Sequence, residues 1–230
     1  MDEKVYPLMF HHEYAGEKLL GSCFAIKNKR TYVTAAHCLH DVQEYSRVHI
    51  GISSEIEKTP NLPDMRTVRK ALRIARHKEF DIAVIRVQDE WCNAPLSEPF
   101  FHTIYDVGNC NGEMVTFRGY TDDRPGDNRN IVGRTKKGTI TQDFRSANNS
   151  QPLIELAAHV EHKNSGGPVV YDEMNTGTPM AIIVTLKGTS NSNREDIHGE
   201  ALLLQPFKAD LKLAADDNFS SLSEKWELLL

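Results

Sequence analysis

A chain of 230 residues that is 40% hydrophobic can bury a sizeable core, and at this length an all-β chain often forms one structural unit. A formal net charge of −5 with only 8% aromatic residues provides no basic field of the kind a phosphate backbone requires, which argues against a nucleic-acid partner. No apolar run approaches the roughly 18 residues of a membrane-spanning helix, and Met1-Asp2-Glu3-Lys4 leads into no signal-like segment. The expectation is therefore a cytoplasmic protein without a membrane partner, or a secreted one if a leader has been removed.

In chain order, short segments rich in apolar or β-branched residues read as strands over 20–27, 32–35, 48–52, 68–75, 82–87 and 114–120. The second half repeats the rhythm over 138–142, 153–157, 168–171, 181–186 and 201–204, so each half carries about six strands, as an antiparallel barrel does. The stretch 65–77, with Arg66, Arg69, Lys70, Arg73 and Arg76 among apolar residues, reads either as a strand with a charged outer face or as a basic amphipathic helix. Residues 121–134, with Asp-Asp, Pro-Gly and Asn-rich pairs, read as a surface loop. Phe207, Leu211 and Ala214 share one face of a helix over 206–214. Beyond it Asp216-Asp217-Asn218 reads as a linker, and Ser221-Leu222-Ser223-Glu224 has the form of a capping box before 225–230. The organisation expected is an N-terminal barrel over 1–112, a C-terminal barrel with its helix over 113–214, and a tail or short helix over 215–230 that docks on a partner or on its own body.

Three separated segments carry the chemistry: Thr34-Ala35-Ala36-His37-Cys38, Phe80-Asp81-Ile82-Ala83-Val84 and Asn164-Ser165-Gly166-Gly167-Pro168. A serine hydroxyl is a poor nucleophile near neutral pH. It needs an imidazole to take its proton, and the imidazole needs a carboxylate on its other nitrogen to fix tautomer and orientation. His37, Asp81 and Ser165 supply these three groups in that chain order. Singly none of them means much in a chain with 10 His and 32 acidic residues; together with their flanks they do.

These flanks resemble the histidine, aspartate and serine motifs of the trypsin/chymotrypsin family, especially its compact bacterial and stress-protease branches, and Gly21-Ser22-Cys23-Phe24-Ala25-Ile26 resembles the strand leading into the histidine loop. The resemblance implies two six-stranded antiparallel β-barrels packed face to face with a C-terminal helix, a strand over 65–77, and a serine endopeptidase acting through an acyl-enzyme without a cofactor. It implies an oxyanion hole formed by the N–H groups of Lys163 and Ser165. The family usually has Gly where Lys163 stands. A non-Gly residue in a sparsely populated backbone region costs about 1–3 kcal/mol, whereas a lost oxyanion donor costs about 3–4 kcal/mol of transition-state stabilisation. Three outcomes follow: an active enzyme with a strained Lys163, an oxyanion loop collapsed until an activating partner or substrate orders it, or an inactive descendant that binds extended peptide as an added strand.

Asn164 stands where precursor-activated relatives have an Asp that receives a new N-terminal ammonium, so activation of that type is not expected. By the same resemblance His159, Glu161 and His162 lie near the primary specificity pocket, with Thr185, Leu186 and Lys187 on the opposing strand. Imidazole and ammonium groups there favour an acidic substrate residue, while Glu200 opposes it. Cys23 and Cys38 occupy positions bridged in secreted relatives, although without a signal segment all four cysteines are expected as thiols; Cys92 and Cys110 match no family pair. No Cys or His spacing suits a metal. The nucleophile elbow Gly-x-Ser-x-Gly of the α/β-hydrolases, the alternative for an esterase, does not occur.

Overall fold

The computed structural model describes residues 5–13, 16–26, 30–51, 68–88, 104, 108–122, 131–143, 152–161, 163–171, 178–188 and 197–230. Strands β1 (Val5–His12), β2 (Gly16–Ala25), β3 (Thr31–Thr34), β4 (Val48–Gly51), β5 (Val68–His77) and β6 (Ala83–Val87) hydrogen-bond in the order β5-β4-β1-β2-β3-β6, and β6 pairs back onto β5 to close a barrel. Strands β7 (Met114–Asp122), β8 (Ile131–Asp143), β9 (Leu153–Ala157), β10 (Pro168–Tyr171), β11 (Pro179–Gly188) and β12 (Ile197–Leu203) close the second barrel. Every pairing in both is antiparallel, as expected for strands joined by local connections. Helix α1 (Lys208–Ala215) follows, with Phe207, Leu211 and Ala214 buried as their spacing predicts.

The two barrels share their core. One apolar cluster joins Phe24, Val33, Ile74 and Ile85 of the first barrel to Ile182, Val184 and Leu202 of the second and to Leu211 and Phe219 beyond it. A second fills the inside of the C-terminal barrel around Phe117, Ile140 and Leu156. A small third cluster of Val5, Met9, Leu19 and Tyr120 seals the seam, where the Tyr120 hydroxyl donates to the Val5 carbonyl at 3.1 Å.

Three sequence expectations change or resolve, and one strand is added to them. The 65–77 ambiguity resolves as a strand: over Val68–His77, Ala71, Ile74 and Ala75 are buried while Lys70, Leu72 and Arg73 are exposed. Strand β1, for which no expectation was drawn, supplies the first barrel's central pairing to β2 and β4. The loop over 121–134 is shorter than expected, because β7 and β8 stay paired to Asp122↔Ile131; residues 123–130 lie outside the described ones.

The capping-box helix does not form. After a 3-10 turn at Phe219–Ser221 the chain enters strand β13 (Trp226–Leu228), antiparallel to β5 with Trp226 opposite His77. The reason is tertiary. Strand β4 covers β5 only over 68–70, so the rest of that edge is open, and β13 fills it; Leu229 N–H and Lys78 N–H bond to the carbonyls of Ile74 and Lys225 at 2.8 Å each.

Candidate active site

His37 sits on a 3-10 turn, Ala36–Leu39, that follows β3 and is pinned by the buried Cys38 and Leu39. Asp81 sits on the tight connection from β5 to β6. Its carboxylate grips His37 twice: Oδ1 accepts the His37 backbone N–H at 2.7 Å and Oδ2 accepts from Nδ1 at 2.6 Å. The second bond fixes a proton on Nδ1, so the ring in its neutral form presents Nε2 as the acceptor that a general base needs. The bond from Asp81 first, and the nearby Cys38 next, push the imidazole pKa up to about 10, against burial, which lowers it.

Ser165 lies on the turn into β10, and its neighbours explain why the turn has its shape. Gly166 has φ +84°, and a Cβ there would collide with the Ser22 carbonyl and the Thr34 hydroxyl, so only glycine fits. Lys163 has φ +76°, in the left-handed region that favours glycine. The turn is closed by Asn164 N–H bonding to the Glu161 carbonyl at 3.1 Å. Asn164 Oδ1 returns the bond by accepting Glu161 N–H at 2.9 Å, and its Nδ2 donates to the Tyr120 carbonyl at 3.3 Å. The Glu161 carboxylate is held in turn by Lys136 at 2.9 Å and Arg134 at 3.1 Å, both on β8.

Ser22, wholly buried on β2, ties this turn to the other barrel. Its N–H donates to the Ser165 carbonyl at 2.8 Å, its hydroxyl donates to the Lys163 carbonyl at 3.0 Å, and Tyr120 N–H donates to that hydroxyl at 2.8 Å. With both carbonyls tied back, the N–H groups of Lys163 and Ser165 carry no hydrogen bond among the described residues, while Asn164 N–H between them is engaged. A left-handed lysine persists only when its surroundings over-determine it. Here they do so from both barrels.

His37, Ser165 and Lys163 line one cavity of about 200 Å³ with Lys18, Leu20, Cys38 and Asp41. Among the described residues the Ser165 hydroxyl makes no hydrogen bond, and His37 Nε2 has Cys38 Sγ at 3.9 Å as its polar neighbour.

Residues 21–176 match the family model of the trypsin-like peptidase domain. The chain belongs to that family. Among curated proteins nothing matches it. Among solved structures, an HtrA-type protease, AlgW, solved with a decapeptide, superposes with a TM-score of 0.62 at 15% identity, over 94% of this chain and 65% of its own. At that identity the likeness concerns the fold, a double β-barrel with a closing helix, and this trypsin-like chain spans just under two thirds of that protein's length.

Of the substrate-pocket residues named from the sequence, the described side chains of His159 and Glu161 do not line this cavity. His159 is exposed, with its carbonyl accepting from Lys136 Nζ at 3.0 Å, and Glu161 is engaged by β8 as described. His162 lies outside the described residues. Thr185, Leu186 and Lys187 lie on β11, opposite Glu200, Gly199 and His198 of β12, and their side chains are outside the described ones.

The family's cysteine bridge has no counterpart here. Cys23, Cys38 and Cys110 are free thiols, and Cys92 lies outside the described residues. Cys23 points away into the core toward the Tyr6 carbonyl, and burial pushes its thiol pKa well up. The residue that faces Cys38 is Gly21, where a Cβ would stand 2.5 Å from Cys38 Sγ. No group of His, Cys, Asp or Glu among the described residues is arranged to hold a metal ion.

Sequence reasoning missed Ser22, because a serine inside an apolar strand carries no sign of what its hydroxyl will meet. It also missed Lys18 and Asp41, which become part of the site only when the β1–β2 hairpin and the histidine turn meet across the cavity.

Proposed function

We propose that this trypsin-like domain is a serine endopeptidase. Ser165 Oγ attacks the carbonyl carbon of an extended peptide and its proton passes to His37 Nε2. The tetrahedral oxyanion lies between the N–H groups of Lys163 and Ser165. As the C–N bond breaks, His37 returns the proton to the leaving amine. Water, deprotonated by His37, then hydrolyses the acyl-serine and restores both groups. No cofactor enters this sequence.

The observation that carries the reading is the doubly held His37 lining one cavity with Ser165, with Asp81 on Nδ1 so that Nε2 is left for the serine. A His–Ser hydrogen bond that closes only when substrate arrives is common for catalytic pairs. The extended peptide as substrate class draws support from the structural neighbour, which was solved with a decapeptide.

A fluorophosphonate probe is expected to label Ser165. Labelling disappears in Ser165→Ala and falls steeply in His37→Ala, and a protein that never labels, with or without added peptide, removes the reading in favour of a silent peptide-binding domain.

The left-handed Lys163 supports a hole that is formed without an activating partner. The right-handed alternative, φ near −90° in a type I turn, rotates the peptide before Lys163 and turns its N–H away. Lys163→Gly is therefore expected to change the labelling rate by less than about threefold. A gain above about tenfold would mean that the native turn is mostly collapsed, since such a gain requires a competent fraction below about one tenth.

A further inference from the structure

We propose that His77 is the positioning residue for Asp81, held in place by the C-terminal segment that runs from α1 to β13. The inference rests on the peptidase reading for its consequence but not for its geometry.

His77 ends β5 and is 5% exposed. Its Nδ1 accepts the backbone N–H groups of both Glu79 and Phe80, at 3.1 Å each. Its own N–H donates to the Ile82 carbonyl at 2.9 Å, and Ile82 N–H donates to the Phe80 carbonyl at 2.8 Å. The short connection that presents Asp81 is thus closed on His77 from within. A nitrogen that accepts two N–H groups must carry its lone pair, so the ring is neutral with its proton on Nε2.

The ring is walled by aromatics from three elements: Phe80 of the connection at 5.2 Å, Phe207 before α1 at 5.3 Å and Trp226 of β13 at 5.3 Å, the last two edge to face. Burial holds the imidazole pKa below its ordinary value, and Lys225 adds to this while Glu79 and Asp210 oppose it. Asp210 of α1 accepts Trp226 Nε1–H at 3.0 Å and the Ser223 N–H and hydroxyl at 3.3 Å each, and Lys78 donates to the Glu224 carbonyl at 2.6 Å. The segment from α1 to β13 therefore packs on and hydrogen-bonds to the residues that begin this connection. Nothing in the Phe80-Asp81-Ile82 motif itself requires such an arrangement.

His77→Phe keeps an aromatic ring among its three neighbours and removes only the acceptor. His77→Asn removes the ring and keeps an acceptor at the same position along the side chain. Two quantities are measured: the fluorophosphonate labelling rate, and the NMR titration of the His37 imidazole, which reports its contact with Asp81 without any turnover. In His77→Phe the labelling rate is expected to fall about tenfold to a hundredfold, the range a displacement of about 1 Å produces, and the His37 titration to move down toward that of an ordinary imidazole. His77→Asn restores both to near wild-type values. A His77→Phe protein that labels and titrates like the wild type overturns the proposal, as does a folded His77→Asn whose His37 titration has fallen. If His77→Phe does not fold, the His77→Asn titration decides alone. If the wild type never labels, the peptidase reading fails while the titrations still test the positioning role.

Discussion

In the proposed mechanism Asp81 holds the His37 ring and, by the same contact, makes its proton harder to remove. With the imidazole pushed up to about 10, first by its hydrogen bond to Asp81, the protonated ring, which cannot accept the serine proton, is favoured at neutral pH. Labelling of Ser165 is therefore expected to rise with pH through and beyond the ordinary imidazole value of about 6.5. Asp81→Asn is expected to bring the midpoint back toward that value while lowering the plateau, because the amide can no longer stabilise an imidazolium. A wild-type midpoint at or below that of Asp81→Asn would contradict this. The same shift has a consequence for folding. A histidine whose folded value lies above its unfolded one contributes stability that is fully present below about pH 6.5 and is lost as the pH rises through about 10. The pH range in which the base works best is thus the range in which its ion pair contributes least to stability.

Among the elements, β13 shows most plainly what tertiary context adds. Trp226, 7% exposed, anchors it by packing on His77 and donating to Asp210. Trp226→Ala is expected to destabilise the protein by about 3 kcal/mol, as for other large-to-small core changes. It should also speed hydrogen exchange at the amides of Ile74 and Lys78, which bond to the Leu230 and Lys225 carbonyls, and leave the β7–β10 ladder unaffected. Uniform loss of protection in both barrels would refute a local role for this strand. Local sequence could not have announced β13, because the capping-box pattern at Ser221–Glu224 is a preference of the isolated segment, whereas the open edge of β5 is made by residues some 150 positions earlier. Most of the other strands were readable, since Val33, Val84, Ile140 and Ile183 repeat in runs whose period needs no partner to be seen. His37, Asp81 and Ser165 were readable for another reason: their chemistry demands small or turn-forming neighbours close in sequence. The residues that brace them, Ser22 and His77, act through backbone groups, which any residue type offers, and so leave no pattern. The turn at Glu161–Asn164 is set by Asn164 and β8, contacts that the serine motif does not announce.

At the scale of the molecule the two barrels are separate in topology and joined in physics. Among the described residues no strand of one pairs with a strand of the other. Yet Ser22 of the first barrel bonds to Lys163, Ser165 and Tyr120 of the second half, Thr31 bonds to the Ala214 carbonyl at 3.5 Å, and Arg86 meets Asp217 at 3.7 Å. Each neutral hydrogen bond of this kind contributes about 1 kcal/mol net, which alone would not fuse two domains. The apolar contribution is larger, because Phe207, Leu211, Phe219 and Trp226 belong to the same cluster as Ile74, Ala75 and Ile85, and each buried large side chain is worth about 2 kcal/mol. A first barrel without these residues would expose that face and lack the strand that covers its β5 edge. A fragment of residues 1–112 is therefore expected to show no cooperative thermal transition by itself, and 113–230 to carry Ser165 without reacting with a fluorophosphonate, since its base is on the other piece. Mixing the two should restore labelling on the larger-numbered fragment, with a concentration dependence set by their association. A cooperative transition in 1–112 alone would show that the N-terminal barrel is a self-sufficient domain, and the cleft would then be an interface between two finished bodies rather than the seam of one.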